Sequence, residues 1–464
     1  MKSNPLLQKG IIHFVGIGGI GISALAQWYL TNGYKISGSD AASSEHINKL
    51  KKLGMKISIG HKAQNIPKNA DFIIYSVAVK KDNCELIWAN KCKIPGKSYA
   101  QALGDLTRRY KKTLAVSGAH GKSTTTGLLS LVLIKAKFDP TVIIGTKLKE
   151  FKNTNFKKGD SDYFLIEADE YNSSFLHYSP FAAIITNIDR EHLDYYKNLN
   201  NIKNAFLKFI SSIKIGGILV ANKDNQNLYS LNSKIKKIVK KRKLKIIWYS
   251  LSNKNLRKKL GKILKIPGNH NISNAMAVYH LAKNLGISEK MIFSALRAYN
   301  GSWRRMEYRG YLNLKPKTQN LKPIVYDDYA HHPTEIKATL SAFRQRYPKS
   351  KIICVFQPHQ EKRLKALFKE FTESFSDADN LILLDAYKVA GRESPTFGKY
   401  NSENLAKAVQ KTKNSPAVLY LKNSKNLKKT IQNIILKPKT QNLKPIVIMM
   451  GAGDIYTLTN SLLK

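Results

Sequence analysis

Acidic residues are scarce in this chain: 31 Asp and Glu stand against 78 Lys and Arg, a formal net charge of +47. Cysteine is scarcer still. Cys84, Cys92 and Cys354 are scattered, with no C-x-x-C spacing, which argues against a zinc site or a disulfide framework and fits a reducing cytosol. No stretch offers about 18 uninterrupted apolar residues, so no membrane insertion is expected. A signal-peptide shape is also lacking, because Lys9 interrupts the apolar start. The expected location is cytoplasmic.

So large a positive surplus suggests an anionic partner, and nucleic acid is the first to consider. Yet the basic residues are mostly Lys, spread along the chain, and no basic motif is interleaved with aromatics. Lys, Asn and Ile are abundant together, as a codon bias would produce, so nucleic acid is not the expected partner. The same field would attract small anions such as nucleotides.

At 464 residues the chain is too long for one core, and two to four domains are expected. Three blocks alternate strand and helix signals. Ile11–Val15, Tyr34–Gly38 and Asp71–Tyr75 read as strands of the first, with a helical pattern over Ser23–Leu30. The second opens with Thr113–Ser117 and continues through Asp162–Ile166 and Ala182–Thr186. The third holds Ile324–Tyr326, Lys351–Phe356, Asn380–Leu384 and Ile446–Met450. This rhythm predicts α/β domains with parallel sheets, over residues 1–110, 111–301 and 302–464.

One twelve-residue string, LKPKTQNLKPIV, occurs twice, at Leu314–Val325 and Leu436–Val447. Two distant copies do not make a solenoid. They read as inserts tolerated in surface loops just upstream of strands. Excising Lys315–Lys322 is expected to leave catalysis largely intact, and a deletion variant that no longer folds would overturn that reading.

Gly118-Ala119-His120-Gly121-Lys122-Ser123-Thr124 lies between a strand and a helix. Glycines let backbone N–H groups approach phosphate oxygens, and the helix N-terminus adds partial positive charge. Lys122 can neutralise β/γ-phosphates, and the Ser123 hydroxyl can hold Mg²⁺. The loop is shorter than a full Walker A, whose first glycine would fall at Val116. Glu167-Ala-Asp-Glu170 follows the next strand, where clustered carboxylates suit Mg²⁺. Thr186-Asn-Ile-Asp-Arg-Glu-His192-Leu-Asp194 follows another. Gly16-Ile-Gly18-Gly19-Ile20-Gly21, with Asp40 after the next strand, fits a pyrophosphate site at a helix N-terminus. That pattern serves a dinucleotide or UDP equally. In the third block Asp327-Asp328-Tyr329-Ala-His331-His332, Phe356-Gln-Pro-His359 and Gly451-Ala-Gly453-Asp454 each end a strand, which suggests one face lining a cleft.

Together these residues resemble the Mur ligase superfamily. HFVGIGGIGISALA, SGSD, GAHGKSTTT, EADEY, TNIDREHLDYY, GNHNISNA, RRMEYRG, DDYAHHPTE, FQPH and MMGAGDI run in the family's order from Ile12 to Ile455. The branch that joins L-alanine to UDP-N-acetylmuramate is the better match, with the murein tripeptide ligase next. The resemblance implies an N-terminal Rossmann-like UDP-binding domain, a central P-loop ATPase with a parallel or mixed sheet, and a C-terminal Rossmann-like domain closing on ATP and the amino acid. It also implies ATP and two Mg²⁺ ions, and a reaction through an acyl phosphate. Lys122 would then bind phosphates, while Ser123, Glu167 and His192 would serve Mg²⁺. Asn271 and Asn274 would contact adenine, Arg305 the γ-phosphate and Asp328 the ribose. Gly16, Gly18, Gly19, Ile20, Gly21, Asp40 and Ser76 would hold UDP, and Tyr329, His332, His359 and Arg363 would sit near the amino acid.

The chain departs from the family at three places. Gln360 stands where many relatives carry Arg, Ala119 replaces a commoner Thr, and Asn172 a frequent Asp. Two readings compete with a ligase. A nicotinamide oxidoreductase would use the first glycine motif but not Lys122, and a nucleic-acid-stimulated NTPase would explain the charge. Nicotinamide fluorescence on mixing tests the first, and hydrolysis stimulated by DNA or RNA the second.

Overall fold

Strands covered by helices on both faces need apolar side chains at every position, and the uninterrupted runs of this sequence meet that need. The computed structural model describes residues 9–313, 322–387, 398–436 and 444–463. Among them the strands form three sheets. The first holds β1 (Lys9–Val15), β2 (Tyr34–Asp40), β3 (Lys56–Ile59), β4 (Ala70–Tyr75) and β5 (Gly96–Ser98). Their order is β3-β2-β1-β4-β5, all parallel.

The second sheet holds β6 (Lys112–Ser117), β7 (Thr141–Leu148), β8 (Thr154–Lys157), β9 (Tyr163–Glu167), β10 (Ala182–Ile185), β11 (Ile218–Asn222) and β12 (Lys245–Tyr249). Its order is β12-β11-β10-β6-β9-β7-β8, with β8 antiparallel at the edge. The third holds β13 (Glu307–Tyr311), β14 (Ile324–Asp328), β15 (Ile352–Phe356), β16 (Asn380–Leu384), β17 (Ala417–Leu421) and β18 (Ile446–Met450). There the order is β13-β14-β18-β15-β16-β17, with β13 antiparallel. The fold is three-domain α/β, as the strand–helix rhythm led one to expect.

By compactness the chain forms two units. One is Met1–Ser250 with Asn274–Leu296 and contains the first two sheets; the other is Leu251–Ser273 with Arg297–Lys464 and contains the third. Within the first unit one continuous core joins both sheets, from Phe14 and Leu25 to Phe164, Ile185 and Phe206. Asn155 on β8 reinforces the join, donating to the Ile20 carbonyl and, at 3.1 Å, to Ser23 Oγ.

In the second unit β18 shows why its five residues are all apolar. Ile446, Ile448 and Met450 enter one core cluster, while Val447 and Met449 enter another. The duplicated string ends in this sheet: Ile324 pairs with Ile446, and Val325 with Val447, in parallel register. The two copies therefore lead into neighbouring strands at the same rim. Residues 314–321 and 437–443, on which the surface-loop expectation falls, lie outside the described residues. No helix among the described residues is long and apolar enough to cross a membrane.

Candidate functional site

At the carboxyl end of β1 the chain turns through glycines into the helix Ile20–Thr31. Gly16 adopts φ +77°, a left-handed conformation that favours glycine, and donates its N–H to Ser39 O at 2.9 Å. Gly18 donates to Asp40 Oδ2 at 2.8 Å, and a Cβ on Gly18 would fall 2.8 Å from that oxygen. Asp40 therefore braces the glycine loop. Gly16, Gly18, Gly19, Asp40 and Ser76 line one cleft of about 620 Å³, together with His61 and Asn83. Ile20 and Gly21 are not among its lining residues; Gly21 packs against the Tyr99 hydroxyl.

Under this cleft lies Glu85, fully buried and absent from any motif. Ser39 Oγ donates to Glu85 Oε2 at 2.5 Å, Asn65 Nδ2 to Oε1 at 2.6 Å and the Lys62 N–H to Oε1 at 3.2 Å. His13 Nε2 lies 3.5 Å away. Burial alone would raise this carboxyl, but the close approach of His13 and the bonds from Ser39 and Asn65 outweigh it and hold the group at about 2. A carboxyl depressed on folding stabilises the protein above its ordinary value of 4.5, and that stabilisation is lost as pH falls toward about 2. The shift corresponds to roughly 3 kcal/mol. Glu85→Gln is therefore expected to lower thermal stability most above pH 5. Its deficit against the parent should shrink between pH 4.5 and 2, and a deficit independent of pH would refute the account.

The second loop joins β6 to the helix Lys122–Lys135. Gly118 and Gly121 hold φ of +134° and +81°. The segment after β10 braces this loop. Ala119 N–H donates to Asn187 O at 3.2 Å, His120 N–H to Asn187 Oδ1 at 2.8 Å, and Thr186 Oγ1 to His120 O at 2.6 Å. His120 Nε2 meets Asp189 Oδ2 at 3.0 Å. Asn274 lies against Gly121, where an added Cβ would come 2.7 Å from Asn274 Oδ1. Thr124 is buried in the first turn of the helix.

Lys122 lies back over its own loop. Its Nζ donates to Gly118 O at 2.8 Å, Ala119 O at 3.3 Å and Glu170 Oε2 at 2.8 Å, with Asp169 at 3.7 Å. Burial would lower this ammonium, but Glu170, Asp169 and Glu167 raise it, so it is the fixed charge of the pair. Glu170 is pushed up by burial and by Asp169, and Lys122 and His192 pull it back.

Ser123 Oγ donates to Glu167 Oε1 at 2.9 Å, and Gly145 N–H to Glu167 Oε2 at 2.8 Å. His192, named with that pair from sequence, joins a different trio. Ligand atoms of Asp169, Glu170 and His192 all lie within 4.8 Å of one another. Glu170 Oε1 is buried and accepts no hydrogen bond, with His192 Nε2 at 3.6 Å. A buried, unsatisfied carboxylate oxygen beside two further donors fits a divalent cation. Asp169 and Glu170 were visible as a motif, but only the fold distinguishes their partners from those of Glu167.

In the second unit, Asp328 ends β14 fully engaged. Its Oδ2 accepts from Met306 N–H at 2.7 Å, and its Oδ1 from Ala330 N–H at 2.9 Å and Thr339 Oγ1 at 3.2 Å. Burial raises this carboxyl, and Arg305 opposes the rise. Arg305 lies 4.7 Å over the Tyr329 ring and 3.9 Å from Glu335. Asn271 donates to Pro267 O at 2.6 Å. His332 caps the helix Pro333–Arg346.

Tyr329, His331, His359 and Arg363 form a chain of contacts. His331 meets the Tyr329 ring at 5.3 Å and the His359 ring at 5.9 Å. Arg363 approaches His359 Nδ1 at 3.4 Å, and Tyr387 stacks on His359 at 5.6 Å. Tyr387 and Arg304 stand out only in the fold. Arg304 is buried between Tyr329 and Tyr456 at 4.9 and 4.7 Å, and donates to the carbonyl oxygens of Gly451 and Ala452. Gln360 takes φ +67° at the start of the helix Glu361–Ala366, and Asn172 takes φ +53°.

Comparison with known proteins matches residues 11–111 to "Mur ligase family, catalytic domain", 116–282 to "Mur ligase middle domain" and 304–453 to "Mur ligase, glutamate ligase domain". The UDP-N-acetylmuramate–L-alanine ligase of Clostridium tetani is 41% identical, over 98% of each chain. The crystal structure of UDP-N-acetylmuramate–alanine ligase from Thermotoga maritima superposes with a TM-score of 0.76 at 26% identity, over 97% of each chain. A murein peptide ligase from Psychrobacter arcticus has the same fold, with a TM-score of 0.67 at 22% identity over 98% of each chain.

Proposed function

Because the chain belongs to the Mur ligase family, we propose that it joins L-alanine to the lactyl carboxylate of UDP-N-acetylmuramate at the expense of ATP, in peptidoglycan precursor synthesis. The observation that carries this reading is Lys122, a part-buried cation held over a phosphate loop by carboxylates. A structural lysine has no need of that loop, and a nicotinamide enzyme has no need of the lysine.

Phosphoryl transfer from ATP to the carboxylate gives an acyl phosphate and ADP. The amine of L-alanine then attacks the acyl carbon, and the tetrahedral intermediate collapses to the amide and phosphate. Two anions must meet in the first step, so catalysis is chiefly charge neutralisation and alignment. Lys122 exchanges its contact with Glu170 for the β/γ-phosphates. The backbone N–H groups of residues 118–124, kept in shape by Thr186 and Asn187, cradle the same phosphates. Asn274 contacts the nucleotide beside Gly121.

Asp169, Glu170 and His192, with Ser123 and Glu167 as a second set, would hold Mg²⁺, which supplies charge neutralisation for the phosphates. The cleft at Gly16–Gly19, Asp40 and Ser76 takes UDP. In the second unit Arg305 and Asp328 serve the nucleotide, and Tyr329, His332, His359 and Arg363 the amino acid. Arg363 is the cation of that cluster suited to the alanine carboxylate, since Gln360 brings none. Residues 1–110, 111–301 and 302–464 are the three working domains.

Phosphate release with ATP, Mg²⁺ and UDP-N-acetylmuramate, each amino acid being added in turn, tests the assignment. Release should require both UDP-N-acetylmuramate and L-alanine. Release indifferent to both would defeat it.

A further inference from the structure

Charge around the second sheet is sorted by rim. Between Tyr195 and Ser250 the sequence holds a single acid, Asp224, which stands just beyond β11 at the carboxyl rim. Glu167, Asp169, Glu170 and Asp189 belong to that rim as well. Lysines gather at the opposite rim, where the strands begin. Lys112 opens β6, Lys245 opens β12, and Lys240, Lys241 and Lys243 lie at the end of the helix Asn232–Arg242 that leads into β12. All five are exposed. The acids on this side, Asp139, Asp160 and Asp162, are met by Lys157, Lys158 and Lys111.

Among these lysines stands Ile215, at 67% the most exposed large apolar residue among those described. It lies in the short loop that joins the helix Leu199–Ser211 to β11. Bonds on both sides fasten that loop. Gly216 N–H donates to Arg242 O at 3.1 Å and Lys245 N–H to Gly217 O at 2.8 Å, while Arg242 Nη2 donates to Ile213 O at 2.8 Å. On the other flank Lys214 Nζ donates to Tyr110 O at 3.0 Å and to Lys111 O at 3.2 Å. Ile215 is therefore a fixed apolar tip with lysines to either side. Lysines in the last turn of a helix complement its dipole on their own account. That need does not extend to Lys112 or Lys245, and it does not call for an exposed isoleucine.

We propose that this amino rim docks on an anionic lipid bilayer, Ile215 entering the interface and the lysines meeting headgroup phosphates. Each basic residue close to an anionic surface strengthens binding about fivefold, and burying one aliphatic side chain adds about tenfold or more. Reversible attachment of this kind needs no membrane-spanning helix. A nucleic acid would use the lysines and gain nothing from Ile215. A protein partner requires a wider apolar core than one side chain. The loop Gly118–Thr124 follows β6 at the carboxyl rim, so a docked protein holds it away from the bilayer.

Sedimentation of the full chain with vesicles tests this, using phosphatidylcholine alone and phosphatidylcholine mixed with phosphatidylglycerol. The parent should bind the mixed vesicles about tenfold more tightly or better, and added salt should weaken that binding. Ile215→Ser should bind them about tenfold less tightly. Lys240→Gln, Lys241→Gln and Lys243→Gln combined should bind them about a hundredfold less tightly. Lys51→Gln, Lys52→Gln and Lys56→Gln combined remove the same charge from exposed positions around the first sheet, and should bind as the parent does. Every replaced side chain is exposed, so each variant should melt at the parental temperature. Equal binding to the two kinds of vesicle overturns the proposal, as does an Ile215→Ser variant that binds like the parent. Equal weakening by the two lysine triples would assign the binding to net charge alone and overturn it too. A parent that binds single-stranded DNA but neither vesicle makes nucleic acid the partner instead.

Discussion

Lys122→Ala is expected to lower turnover by about 10³-fold or more, the scale on which enzymes lose a preorganised cation facing transferred phosphate. It is also expected to destabilise the protein. Lys122 and Glu170 side chains are 13% and 3% exposed, at 2.8 Å. Removing one partner of such a buried pair leaves an uncompensated charge, which costs about 3–5 kcal/mol. The two effects can be separated. Lys122→Ala combined with Glu170→Gln should recover much of the lost stability in urea denaturation and none of the lost phosphate release. Turnover within tenfold of the parent for Lys122→Ala would refute the role given to the lysine.

His192→Ala should raise the Mg²⁺ needed for half-maximal activity by about 10–100-fold, the range seen when the shell around a metal is thinned. His192 starts a short helix with φ +55°, meets the Tyr171 ring in a tilted contact at 4.8 Å and faces the unsatisfied Glu170 oxygen. Excess Mg²⁺ should restore much of the variant's rate, because Asp169 and Glu170 remain. A Mg²⁺ titration superimposable on that of the parent would remove His192 from the metal site.

The sheet interiors were legible in the sequence because burial on both faces leaves little choice of residue. Asn380–Leu384 and Ile446–Met450 are strands with the bounds their apolar runs suggest, and Thr113–Ser117 differs from β6 by one residue. Edge strands were not. Glu307–Tyr311 and Ala417–Leu421 sit at the two ends of the third sheet, where one side lacks a neighbouring strand and polar residues are tolerated. The phosphate loop could be read because glycine and lysine are each required by chemistry. That Thr186 and Asn187, although part of a motif, brace this loop could not be, since their bonds to His120 arise only once β10 pairs with β6. Glu85 left no trace for the same reason: its donors come from β1, β2 and the segment after β3, brought together only when the sheet forms.

The parallel pairing of Ile324 with Ile446 has a practical side. Both copies of the duplicated string reach the third sheet at the amino ends of β14 and β18, whereas Asp328 and Gly451 mark the carboxyl ends of the same strands. Five strand residues span about 16 Å, so the ends where the two copies enter and the ends that carry Asp328 and Gly451 form opposite rims. An affinity handle or dye attached at the exposed Lys322 or Lys444, just ahead of those amino ends, would tether the protein by the rim away from Asp328 and Gly451. Binding and turnover could then be followed on immobilised protein with the Tyr329–His359 rim facing solution.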